Sequence, residues 1–119
     1  MVLVDTSVWI DHFRSSNNEL QSLLNECQVL SHNFIIGELS LGNFKKRNAI
    51  LEYLNDFPKA IHAEDSEVAN FIKKNKLFGR GIGYIDAHLL ASAIITETHI
   101  WTNDKKLRNI TSEFDISWK

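Results

Sequence analysis

Short continuous apolar runs alternate along this chain with segments whose apolar residues recur every three or four positions. Val2-Leu3-Val4 is brief, β-branched and uninterrupted, which predicts a buried strand. Asp5-Thr6-Ser7 then gives a helix start signal, and Val8-Trp9-Ile10-Asp11-His12-Phe13 follows in helical pattern. Similar reading predicts a helix over 19–26, a second strand over 28–30, an apolar helix over 33–41 and another helix over 46–55. A weaker third strand is expected at 60–62. A helix is expected over 63–76, where Val68, Phe71 and Ile72 share one face. Residues 79–83 form a glycine-rich loop ahead of the most apolar helix, 84–95. A strand at 100–102, a short helix from Asp104 and a last strand at 114–116 complete the pattern. Buried strands alternating with helices imply an α/β protein, with a mostly parallel central sheet flanked by helices on both faces. In such sheets ligands bind beyond the carboxyl ends of the strands, so chemistry is to be sought in the loops that follow them.

Composition narrows the choice. The chain has 119 residues, 44% hydrophobic and 24% charged, enough for one core and too apolar for disorder. No repeat or linker divides it, so a single domain over 1–119 is expected. The one cysteine, Cys27, allows neither an internal disulfide nor a cysteine-based zinc site. No apolar run suits a signal peptide or a membrane span, so a cytoplasmic protein is expected. The net charge of −2 excludes a strongly basic coat for nucleic acid but not a local basic patch.

Four carboxylates draw attention. Asp5 follows the first strand, Asp104 follows the strand at 100–102, and Asp86 lies in the first turn of the apolar helix. Each has an ordinary explanation, as a helix cap or as a charge favoured by a helix dipole. Glu38 is different. It sits between Phe34-Ile35-Ile36-Gly37 and Leu39-Ser40-Leu41, where an ionised group is costly to bury without a partner. Its ordinary explanation is a narrow solvent-facing stripe. Asp5 and Asp104 fall at strand carboxyl ends and Asp86 at a helix start expected to face the same edge, and converging carboxylates would repel one another. A divalent cation relieves that cost. Oxygen ligands with no cysteine and no clustered histidine indicate a hard ion, Mg²⁺ or Mn²⁺, able to activate water and stabilise a phosphoryl transition state.

At these residues the chain resembles a known family. Val4-Asp5-Thr6-Ser7-Val8-Trp9-Ile10, Ile36-Gly37-Glu38-Leu39, the run 83–93 (Gly-Tyr-Ile-Asp-Ala-His-Leu-Leu-Ala-Ser-Ala) and Thr102-Asn103-Asp104-Lys105-Lys106-Leu107 are similar to the motifs of PIN-domain proteins, and more narrowly of VapC toxins of type II toxin–antitoxin pairs. The motifs occur in family order across the chain. The resemblance implies the PIN fold and a Mg²⁺- or Mn²⁺-dependent endoribonuclease. It also implies an RNA substrate, a homodimer and a VapB-type antitoxin that blocks the site. It carries Asp5, Glu38, Asp86 and Asp104 onto the family's acidic metal-binding positions, and Thr6 and Thr102 onto supporting hydroxyl positions. Residues 43–62 carry no recognisable family motif.

Other residues have weaker claims. Lys45, Lys46, Arg47, Lys73, Lys74, Lys76 and Arg80 could meet RNA phosphates or simply be solvated, with Arg80 best placed ahead of Asp86. The five histidines do not cluster, and His88 is expected to face away from Asp86. Trp9, Trp101 and Trp118 are expected to pack. Gly79, Gly81 and Gly83 lack the Lys-Ser/Thr of a phosphate-binding loop. An antitoxin Arg or Lys is expected among the four carboxylates, with apolar contact from Val8, Trp9, Ile10 and Phe13 unless these are core. Two rivals stand beside this reading. A receiver-type phosphoacceptor domain would pair acidic residues after the first strand, whereas Asp5 stands alone; a non-catalytic PIN-like module would usually lack one of the carboxylates.

Overall fold

In the computed structural model, residues 1–118 are described. Three parallel strands, β1 (Val2–Val4), β2 (Val29–Leu30) and β3 (His99–Trp101), form a sheet in the order β2-β1-β3. Leu3 is registered against Leu30 on one side and Ile100 on the other. All three side chains are buried, each worth roughly 1.5–3 kcal/mol of apolar burial. The central β1 is buried at every position, as a strand covered on both faces must be.

Helices fill the intervals: α1 (Thr6–Arg14), α2 (Asn18–Asn25), α3 (Asn33–Ser40), α4 (Arg47–Asn55), α5 (Asp65–Lys74), α6 (Tyr84–Thr96) and α7 (Lys105–Glu113). α1, α3 and α7 begin directly after the carboxyl ends of β1, β2 and β3, so their first turns share one edge. α6 is the most enclosed helix, buried continuously from Ala87 to Ala93, as its uninterrupted apolar sequence requires. Phe71 and Ile72 of α5 pack against a small cluster of Ala63, Val68 and, from α6, Ala87 and Ala91.

Two expected strands do not form. The single parallel bridge here, Ser31 to Lys59, falls just before 60–62. Beyond it the backbone donors turn to α6 side chains. Ile61 N–H donates to Thr96 Oγ1 at 2.9 Å and Ala63 N–H to Ser92 Oγ at 3.2 Å. Near 114–116 pairing is likewise one bridge, Ile100 to Ser117. Trp9 and Trp101 are buried, as expected of packing residues. Gly79 and Gly81 both adopt positive φ, +73° and +81°, which turns the chain sharply into α6.

Candidate active site

Asp5 occupies the cap position of α1, yet its side chain makes no capping bond. The carboxylate is instead fixed across the sheet edge. Its Oδ2 accepts from Ser7 Oγ and from Thr102 Oγ1, each at 2.8 Å. Thr102 Oγ1 in turn accepts from Asp104 N–H at 3.0 Å, and Ser7 Oγ from Asn103 N–H at 3.0 Å. Asn103 Nδ2 donates to Asp11 at 2.8 Å. The loop after β3 is thereby bonded to the first turn of α1. Asp5 is 7% exposed, so these bonds hold a nearly buried carboxylate whose Oδ1 makes no hydrogen bond among the described residues.

Asp104 does cap α7: its Oδ1 accepts from Leu107 N–H at 3.0 Å. The ordinary explanation is therefore correct for this oxygen, while Oδ2 makes no such bond among the described residues. Asp86 accepts from Gly83 N–H at 3.3 Å through Oδ2, closing the first turn of α6. Glu38 is exposed on α3, but it does not simply face water. Thr6 Oγ1 donates to its Oε1 at 3.1 Å, linking α3 to the start of α1. The threonines expected to support carboxylates, Thr6 and Thr102, both do so.

Asp86 registers the assembly electrostatically. Burial pushes its carboxyl above the usual range, and the charges of Asp5, Asp104 and Glu38 push it further; the Gly83 N–H opposes them. Three carboxylates from three other segments thus act electrostatically on Asp86. Their donors are hard carboxylate oxygens, with hydroxyls behind them, a set that suits Mg²⁺ or Mn²⁺ and not a thiophilic ion.

Arg80 is exposed and ion-paired with Glu113 on α7. Lys106 of α7 lies across Gly81, and a Cβ built there would meet its Nζ at 2.8 Å. Val8 and Trp9 are core, whereas Ile10 is exposed and Phe13 stacks on Phe44 with ring centroids 4.6 Å apart.

Two features were not legible in the sequence. Ser7 is a second support for Asp5, hidden in what reads as an ordinary helix start. The histidines do cluster, contrary to their spacing: one ring nitrogen from each of His32, His62 and His88 lies within 4.8 Å of the others. They are at least 26 positions apart and meet because the ends of β2 and of the 58–63 segment both dock on α6. His88, which its position two residues from Asp86 left open as core or surface, is fully buried.

A family model described as "PIN domain" matches residues 2–113. The chain is 38% identical over 121 aligned positions to Ribonuclease VapC32 of Mycobacterium tuberculosis, from two strains, with 98% of this chain and 95% of the relative covered. The fold is similar to that of a solved structure of FitAB bound to an IR36 DNA fragment, with TM-score 0.66, 20% identity and coverage of 98% and 92% of the two chains. It is also similar to the crystal structure of PAE2754 from Pyrobaculum aerophilum, with TM-score 0.59, 18% identity and coverage of 91% and 77%.

Proposed function

This chain belongs to the PIN-domain family, among its VapC-type members, and on that premise we propose that it is a metal-dependent endoribonuclease toxin, formed by a single domain over 1–119. The receiver reading ends with the family assignment. What most supports nuclease chemistry is the electrostatic action of Asp5, Glu38 and Asp104 on Asp86. Four converging carboxylates are costly alone and useful around a cation.

Asp5, Glu38, Asp86 and Asp104 would hold Mg²⁺ or Mn²⁺. When bound, that ion supplies an activated water and neutralises charge on a phosphodiester. The chain's own residues do the rest. Ser7 and Thr102 fix Asp5 through its Oδ2, leaving Oδ1 to serve as the ligand atom. Thr6 orients Glu38, which is exposed. Without a cation the acidic edge repels RNA phosphates, so substrate and metal are required together. Arg80 and Lys106, beside the loop leading to Asp86, supply cations for the phosphates on either side of the scissile bond.

A VapB-type antitoxin is the expected partner, consistent with the relatives' names. A cationic side chain from it, preferably a bidentate Arg, would occupy the carboxylate edge and exclude the metal. Ile10 and Phe13 remain as its apolar contacts; Val8 and Trp9 are spent on the core. A homodimer and a cytoplasmic location complete the reading. Among the described residues no helix is long and apolar enough to cross a membrane.

The test is sequencing of RNA ends after controlled expression of the wild type and of Asp5→Asn. New ends are expected in the wild type alone. The same ends with Asp5→Asn, or none with either, would favour a non-catalytic PIN module.

A further inference from the structure

His32, His62 and His88 lie on a different side of α6 from Asp86, since His88 follows Asp86 by two positions, more than half a helical turn round. The ring centroids of His62 and His88 are 4.5 Å apart, those of His32 and His62 5.0 Å, and those of His32 and His88 5.6 Å. Phe34 walls the group, 4.5 Å from His88 and 4.9 Å from His62. Aromatic packing alone would explain ring contact, but not the polar atoms. Both ring nitrogens of His88 are buried and have no hydrogen-bond partner among the described residues. A neutral imidazole carries one N–H and one lone pair, and burial strands both. His62 is exposed at the mouth of the group and makes no competing hydrogen bond among the described residues, so an ion has a way in.

We propose that His62 and His88, completed by His32, form a second metal site that takes a zinc-class divalent ion through imidazole nitrogens, separate from the carboxylate edge. Imidazole suits zinc, nickel and copper, whereas the carboxylate edge suits magnesium and manganese, so the two sites select different ions. An ion on His88 satisfies its stranded lone pair. His32 is the costlier ligand. Its Nδ1 accepts from Phe34 N–H at 3.0 Å and its Nε2 lies 3.1 Å from Ser92 Oγ. Ligation at Nε2 moves the ring proton to Nδ1 and gives up both bonds, which a metal–imidazole bond outweighs. Asp65, which accepts from the Tyr84 hydroxyl at 3.2 Å, acts electrostatically on His88 and stands near enough to balance the added charge. The ion would clip the start of α3, the segment before α5 and the core of α6. Two of these, α3 and α6, carry Glu38 and Asp86. The proposal does not depend on the nuclease reading.

The test is a Co²⁺ titration of untagged full-length protein, followed by visible absorption, with millimolar Mg²⁺ present to fill the carboxylate edge. The expected result is an intense band of nitrogen-ligated four- or five-coordinate Co²⁺ that saturates at one ion per chain. His62→Gln, at an exposed position, should keep its metal-free melting temperature yet bind Co²⁺ more than about tenfold more weakly. His88→Gln should lose the band, and Asp86→Asn should keep it. Weak six-coordinate absorption alone in the wild type would overturn the proposal. So would an unchanged band and affinity in His62→Gln, or loss of the band in Asp86→Asn with retention in His62→Gln.

Discussion

The Thr102 hydroxyl donates a 2.8 Å hydrogen bond to Oδ2 of Asp5, joining the ends of β3 and β1 across 97 positions of sequence. With Ser7 donating to the same oxygen, Asp5 is held by two hydroxyls in a nearly buried position. Partners that orient a ligand typically matter 10–100-fold to metal affinity or activity. Thr102→Val, close in shape but without the donor, is therefore expected to reduce RNA cleavage by about 10–100-fold. Ser7→Ala should lower it in the same direction. Cleavage rates at saturating Mg²⁺ and at limiting Mg²⁺ would separate lost affinity from lost turnover; the larger loss is expected at limiting metal.

Asp86 gives a stability signature with a defined sign. Its folded pKa is raised, so across the window from its ordinary value of 3.8 upward to the raised one the native chain holds a proton that the unfolded chain releases. That contribution favours the fold at acid pH and is lost as pH rises. Asp86→Asn should therefore raise the metal-free melting temperature at pH 7 and lose this advantage near pH 4. Adding Mg²⁺ should stabilise the wild type more than the variant. A lower melting temperature for metal-free Asp86→Asn at pH 7 would contradict the like-charge account.

His32 acts in the opposite sense. Burial, with the charges of His62 and His88 adding, pushes its pKa from 6.5 down to about 4. The unfolded chain gains a proton below 6.5 that the native chain refuses until about pH 4, so stability should fall as pH drops through that window. The full effect is at most about 3 kcal/mol. His32→Asn, which keeps a side chain able to cap α3, should flatten the acid limb in urea melts.

Gly81 is held at φ +81°, and a Cβ there would also meet the Lys106 side chain. Gly81→Ala should cost about 1–2 kcal/mol from the backbone alone. Since the loop leads into Asp86, cleavage should fall as well. An unchanged denaturant midpoint would show that the loop relaxes freely.

Arg80 is exposed, and among the described residues its side chain is tied only to Glu113. Arg80→Ala should leave stability nearly unchanged but weaken RNA binding, and should lower the slope of log affinity against log salt by about 0.7. An unaltered slope would mean that Arg80 touches no phosphate.

The order of helices and strands was legible because buried parallel strands read as unbroken apolar runs and helix starts carry capping residues; Asp104 caps α7 as its residue type suggests. The segment at 60–62 misled, since its apolar residues suit a strand but Ile61 N–H bonds to Thr96 and, just past the segment, Ala63 N–H bonds to Ser92. No local pattern encodes that choice. Asp5 was legible as a position but not as a bond, because an aspartate after a strand reads equally well as a cap. Glu38 was legible through its apolar neighbours and through the motif Ile36-Gly37-Glu38-Leu39. The contacts of Ser7 and the meeting of the three histidines depend on tertiary packing, and residue spacing carried no sign of them.

The most direct test of the carboxylate edge is single-turnover RNA cleavage by Glu38→Gln beside the wild type at fixed Mg²⁺. Glu38 is exposed, caps no helix and is bonded to Thr6, so the change removes charge with little effect on the fold. A loss of at least about 100-fold is predicted, the scale of losing one preorganised electrostatic contact, with an unchanged or higher metal-free melting temperature. Cleavage by Glu38→Gln at the wild-type rate would contradict the account.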